Sequence, residues 1–249
     1  IVLILRYLSE ELKGCRMMVC ERRAHHLGEA FRIDAKAEGD CVVIGGWRTL
    51  DSSKAADAAW FSVTLTRSTA PWAFARGEPF RTIASLELLG TLVGLMTLVP
   101  ETEGRGESAA TLTLTSGTDN QGNSYLLDRM MTTKYPLVVI LMELAHQMRR
   151  RRLVLRARWL PRLENEEADA LTNLDFRHFN PEKRIEVQLD QLGFRVLPML
   201  FDVGETYDAE LQAARKSEKE AAAAKRAAEG VPKKKRRKAG DTLRERDPW

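Results

Sequence analysis

Two periodicities follow one another along the chain, the first of strands and the second mostly of helices. Phe31-Arg32-Ile33-Asp34-Ala35-Lys36 alternates apolar and polar side chains, the period of a half-buried strand. After a turn at Gly39-Asp40, Cys41–Trp47 and Trp60–Thr66 read as a second and a third strand, and the short links predict an antiparallel meander. Thr82–Val99 has helical length and apolar spacing, and Pro100 stops it. A loop rich in Glu and Gly leads to Thr111–Thr115, an alternating strand. Asn123 to about Thr133 and Tyr135–Arg149 read as helices, with Pro136 breaking or kinking them or sitting in the first turn of the second. Leu153–Trp159 is a fifth strand and Asn165–Thr172 a short helix. The order β-β-β-α-β-α-β-α predicts an α/β fold, a mixed five-stranded sheet with flanking helices.

The ends of the chain read differently. Residues 1–28 open on the apolar run Ile1–Leu8, read as a helix cut at its start, and a first residue of Ile suggests a piece of something longer. Within 179–208, Ile185-Glu186-Val187 and Phe194–Phe201 are apolar enough to pack back on the body. From Ala209 to Glu229 the composition forms helix, including the run Ala221–Ala224, but offers almost nothing to bury. An exposed helix is expected there, and disorder beyond Gly230 and Pro232.

Composition narrows the classes. The chain has 249 residues, 44% of them hydrophobic, which suits a globular domain with extra segments and excludes a wholly disordered or collagen-like chain. Cys15, Cys20 and Cys41 cannot build a disulfide framework and suit a reducing compartment. No secretory signal is expected. The apolar run Ile83–Val99 is shorter than the ~20 residues a bilayer needs and contains Glu87, so no membrane is expected. The net charge of +4 hides a split: residues 215–246 carry net +8, leaving −4 on the rest. Within that tail, Pro232 precedes Lys233, Lys234, Lys235, Arg236, Arg237 and Lys238, a cluster that reads as a nuclear import signal or a phosphate-binding patch. An import receptor and a nuclear, or nuclear and cytoplasmic, location are expected from it. No phosphate-cradling Gly-Lys-Ser/Thr loop, His-Glu-x-x-His or Gly-x-Ser-x-Gly occurs.

The chemistry lies in acids at unfavourable places. Asp34 is inside a strand, Glu87 is in an apolar helix, Asp119 follows the fourth strand, and Asp169 is in the short helix after the fifth. An acid desolvated in this way needs a partner or a cation. Each has an ordinary alternative: Asp34 pairing with Arg32 or Lys36, Glu87 as an exposed first-turn acid, Asp119 as a cap, Asp169 as one surface acid beside Glu166 and Glu167. Taken together, carboxylate clusters suit Mg²⁺, and two such ions ~4 Å apart form the phosphodiester-cleaving arrangement.

The ordered set resembles the type 1 ribonuclease H domain of retrotransposon reverse transcriptases. The strings that carry it are Phe31-Arg32-Ile33-Asp34-Ala35, Ile44-Gly45-Gly46-Trp47, Ser85-Leu86-Glu87-Leu88, Thr118-Asp119-Asn120, and Trp159-Leu160-Pro161-Arg162 followed by Glu164-Asn165-Glu166-Glu167-Ala168-Asp169-Ala170-Leu171. The last is the most specific, and the likeness spans about residues 29–178. The style is also similar to retroelement-derived proteins of dinoflagellate genomes. The resemblance implies a ribonuclease H-like domain over 29–178, with 1–28 as a remnant of an upstream reverse transcriptase connection, 179–208 as an extension and 209–249 as a charged tail. It implies that Asp34, Glu87, Asp119 and Asp169 ligate two Mg²⁺ ions, with Mn²⁺ able to substitute, and that Asp34 bridges them. The reaction would be hydrolysis of the RNA strand of an RNA–DNA hybrid, leaving a 5′-phosphate, with recognition through backbone geometry and 2′-hydroxyls. Asn120 and Arg162 are the candidate nucleic-acid contacts, and a polymerase domain is an implied partner. Many such domains carry a histidine before the last acid. Here that loop is Pro161-Arg162-Leu163-Glu164, while His146 and His178 lie in other elements. Two rivals remain: a non-catalytic nuclear nucleic-acid binder, and an integrase or transposase, which needs a Glu where this chain has Val154.

Overall fold

The structure, a computed structural model, describes residues 25–50, 52–74, 78–101 and 112–228, together with Leu5, Ser9 and Lys13. The chain divides into two compact units, Ile1–Glu205 and Thr206–Trp249.

The first unit is built on strands β1 (His25–Glu38), β2 (Cys41–Arg48), β3 (Trp60–Leu65), β4 (Leu112–Thr118) and β5 (Leu153–Trp159). They form one sheet in the order β3-β2-β1-β4-β5. β1 and β2, then β2 and β3, pair antiparallel, whereas β4 is parallel to β1 and β5 is parallel to β4. This is the expected mixed sheet. β1 begins at His25, ahead of the alternating stretch, and its pairing to β4 shifts register between His26 and Phe31.

Helices cover both faces. α1 (Pro71–Phe74) is short; α2 (Ile83–Leu98), α3 (Gln121–Arg129) and α4 (Leu137–Arg150) follow. α2 is apolar nearly all round because it is buried between the sheet and α4. The stretch Pro79–Leu98 is long and apolar enough to cross a membrane, and most of it is buried inside the body. Its fit against β1 depends on a missing side chain: a Cβ on Gly94 would lie 2.9 Å from the Phe31 ring. α5 (Glu166–Thr172) packs on the opposite face, over β1 and β2, through a smaller apolar cluster of Trp47, Trp60, Ala168, Leu171 and Phe179.

Residues 179–196 return along the sheet edge. The Ile185 N–H donates to the Trp60 carbonyl (2.7 Å), and Ile185, Val187, Leu189, Leu192 and Phe194 lean on the main core. α6 spans Leu197–Ala228, so helix begins twelve residues before the composition alone suggested. In the second unit, the described side chains of 206–225 are exposed, with a Lys216–Glu220 pair at 4.0 Å. The basic run Lys233–Lys238, the opening segment's predicted helix and most of residues 1–24 lie outside the described residues.

Candidate active site

Asp34, Glu87, Asp119 and Asp169 come from four elements and act on one another electrostatically around the end of β4. The register defines how they approach. Asp34 pairs with Gly45, whose added Cβ would meet Leu171, so Asp34 lies on the α5 face. There the Thr172 hydroxyl donates to Asp34 Oδ2 (2.6 Å). Thr118, the last residue of β4, faces α2 instead and donates its hydroxyl to Glu87 Oε2 (3.0 Å). Asp119 follows Thr118 between the two faces.

The electrostatics show that the carboxyls share one neighbourhood. Burial, Asp119 and Asp34 together push the Glu87 carboxyl up to about 8, against hydrogen bonds from Thr118 and Asn120. Burial pushes Asp34 up to about 6, opposed by Thr172 and reinforced by the charges of Asp119 and Asp169. Asp119 is also raised, chiefly by burial; its own backbone N–H and the Arg162 charge oppose the shift, and Asp169 adds to it. These are the signs of desolvated anions crowding one another.

Asp169 is the best satisfied of the four. Arg162 Nη2 donates to its Oδ1 (2.6 Å) and Asn173 Nδ2 to its Oδ2 (2.8 Å). Lys36 Nζ donates to Asn173 Oδ1 (2.9 Å), which orients the amide so that its nitrogen faces Asp169. Asn165 Nδ2 donates to the Ile33 carbonyl (3.0 Å), tying the start of α5 to the residue before Asp34. Asn120 caps α3, its Oδ1 accepting from the Asn123 N–H (3.1 Å). The sequence offered Arg162 as a phosphate contact; in the structure its guanidinium is exposed and holds Asp169.

Thr172 and Asn173 carry no signal of their own in the sequence, and Lys36 stands out there only as a possible partner for Asp34. Thr172 and Asn173 stand three and four residues after Asp169, so the helical period alone places them on its side of α5. That Thr172 also meets Asp34 depends on how α5 docks, which no local pattern carries. His146 and His178 belong to other parts of the fold: His146 is buried on α4 and His178 follows α5.

Among the described residues, no group of three or more His, Cys, Asp or Glu stands close enough to hold a metal ion. The donor chemistry nonetheless suits a hard divalent cation. It is all oxygen and anionic, and three of the four carboxyls, Asp34, Glu87 and Asp119, are raised both by burial and by neighbouring acids. Arg162, exposed to solvent, is paired with Asp169.

No family model and no curated protein matches the chain. Among solved structures it is similar to ribonuclease H1 from the halophilic archaeon Halobacterium salinarum NRC-1, at 17% identity and a TM-score of 0.36, covering 61% of this chain and 97% of that one. It is also similar to the N-terminal ribonuclease H domain of rv2228c from Mycobacterium tuberculosis as a fusion protein with maltose-binding protein, at 17% identity and a TM-score of 0.33, covering 60% of this chain and 93% of that one. The fold is ribonuclease H-like. The strand order, the strand directions and the helix between β3 and β4 carry that statement.

Proposed function

We propose that this chain is a divalent-metal-dependent nuclease that hydrolyses the RNA strand of RNA–DNA hybrids, as the ribonuclease H part of a retroelement reverse transcriptase. The observation that carries the reading is that Asp34, Glu87 and Asp119 each have their proton affinity raised by burial and by another acid of the set around the end of β4, with Arg162 paired to Asp169. These four carboxylates would hold the metal. Mg²⁺ bound there supplies an activated water and charge for the leaving oxygen.

The chain's own residues prepare the site. Thr172 and Thr118 fix the orientations of Asp34 and Glu87, and Asn173, set by Lys36, fixes Asp169. Arg162 exchanges Asp169 for a backbone phosphate when the site loads. The basic run Lys233–Lys238 adds sequence-independent phosphate affinity and directs the chain to the nucleus.

The test is cleavage of an end-labelled RNA–DNA hybrid in Mg²⁺ or Mn²⁺, with single-stranded RNA and duplex DNA as controls. Cutting confined to the hybrid's RNA strand, with 5′-phosphate products and loss in Asp119→Asn, is expected. Absence of cutting by folded protein that still binds hybrid would favour the second reading, a catalytically silent nucleic-acid binder.

A further inference from the structure

Trp159 is placed unlike the other tryptophans. Among the described residues Trp47, Trp60 and Trp72 are buried, whereas Trp159 is 48% exposed. It is the last residue of β5 and the register partner of Thr118, so it shares the sheet face on which Thr118 holds Glu87. Its indole N–H donates to the carbonyl of Asp119 (3.0 Å). The ring is thereby fixed to one of the four acids while much of its surface stays open to solvent. Arg162, whose charge acts on Asp119, lies three residues on, and the exposed Leu163 follows it. Asp119 thus has an anchored aromatic plane at its carbonyl and a cation acting on its carboxyl.

Indole offers a nucleotide a stacking surface, and every base has a face to stack. An arginine acting on the same acid takes a nearby phosphate. We infer that Trp159 is a stacking platform for a base or sugar of the bound nucleic acid, next to the phosphate that the acids address. This rests on the nuclease reading above and adds the residue that sets the strand's position along the site. The anchor is a backbone carbonyl, so it survives substitution of the Asp119 side chain.

The experiment uses the intact chain carrying Asp119→Asn, in Mg²⁺, titrated into a fluorescein-labelled RNA–DNA hybrid and read by anisotropy and by tryptophan emission. Adding Trp159→Ala is expected to weaken binding about five- to a hundredfold, and adding Trp159→Phe by less than threefold. The salt slope of log Kd should stay unchanged in both, because stacking releases no counterions, while Arg162→Ala should lower it by about one. For the emission readout the Asp119→Asn chain also carries Trp249→Phe; binding should quench its tryptophan emission, and the quench should vanish on adding Trp159→Phe, which keeps the buried tryptophans as an internal reference. Tight binding with Trp159→Ala within twofold, or a quench that persists in Trp159→Phe, overturns the platform and leaves the nuclease reading standing. No saturable binding of hybrid by the Asp119→Asn chain overturns both. Circular dichroism of each variant separates a lost platform from a lost fold.

Discussion

Glu87 carries the largest proton-affinity shift among the four acids that the fold crowds together. Burial and neighbouring acids push its carboxyl up to about 8 and that of Asp34 up to about 6, from ordinary values of 4.5 and 3.8. Across this range the native state binds more protons than the unfolded chain, so the stability these groups contribute is present near pH 4. It is lost as the pH rises through about 6 for Asp34 and about 8 for Glu87. The metal-free protein should therefore melt at a lower temperature at pH 8.5 than at pH 5.5, and Mg²⁺ should restore the difference, since the ion binds the deprotonated native form. Asp119→Asn removes a repulsion felt by both groups. It should raise the metal-free melting temperature at pH 8.5 by roughly 2–4 °C, the equivalent of about 1 kcal/mol, and blunt the Mg²⁺ effect. Scanning fluorimetry in EDTA and in Mg²⁺ reads all of these; a flat response to pH in EDTA would contradict the account.

At the scale of elements, the site depends on how closely α5 sits on the sheet. A Cβ at Gly45 would stand 2.7 Å from Leu171 Cβ and 3.3 Å from its backbone carbon, so Gly45→Ala must push the helix away rather than rotate a side chain. A cost of about 1–3 kcal/mol is expected from urea unfolding. Mn²⁺ affinity, read by electron paramagnetic resonance, should fall with it, because Asp169 and the Thr172 bond to Asp34 ride on α5. Unchanged Mn²⁺ binding in a destabilised Gly45→Ala protein would separate α5 from the site. The same dependence explains what the sequence could disclose. Alternation at Phe31–Lys36 and the apolar length of Thr82–Val99 exposed the strands and the core helix, and an acid in each was conspicuous by its cost. Thr172 was not, because a threonine at a helix end is ordinary until the docking of that helix is known. The boundaries that slipped have local causes. α3 ends at Arg129 because Met130 takes a left-handed conformation (φ 49°), which the run to Thr133 did not announce. β1 extends back to His25 through Gly28, where no apolar alternation marks a strand.

At the scale of the whole first unit, residues 179–197 act as a strap fastened at two points. Near its start, Trp60 Nε1 donates to the Asn180 carbonyl (2.8 Å) and Arg184 bridges to Trp60, covering the outer edge of β3. Its end is held by Glu143, fully buried on α4, whose carboxylate accepts from the backbone N–H groups of Val196 (2.6 Å) and Leu197 (2.7 Å) and from Gln147 Nε2 (2.7 Å). A buried anion so placed depends on the strap, and the strap's last N–H groups depend on it. Composition could not show this, since Glu143 reads as one more polar position on an amphipathic helix. Two truncations distinguish the strap's contribution from that of the second unit. Ending the chain at Glu205 removes the second unit and should leave the melting temperature within a few degrees, while lowering the salt dependence of hybrid binding because the basic run is gone. Ending it at Phe194 strips Glu143 of its backbone donors and should cost about 3 kcal/mol or more, the penalty for a buried charge left without its partners. Glu143→Gln in the Phe194 truncation should recover part of that loss by removing the charge, although it should destabilise the intact chain. Equal stability of the two truncations would mean that the strap's end contributes nothing to the fold.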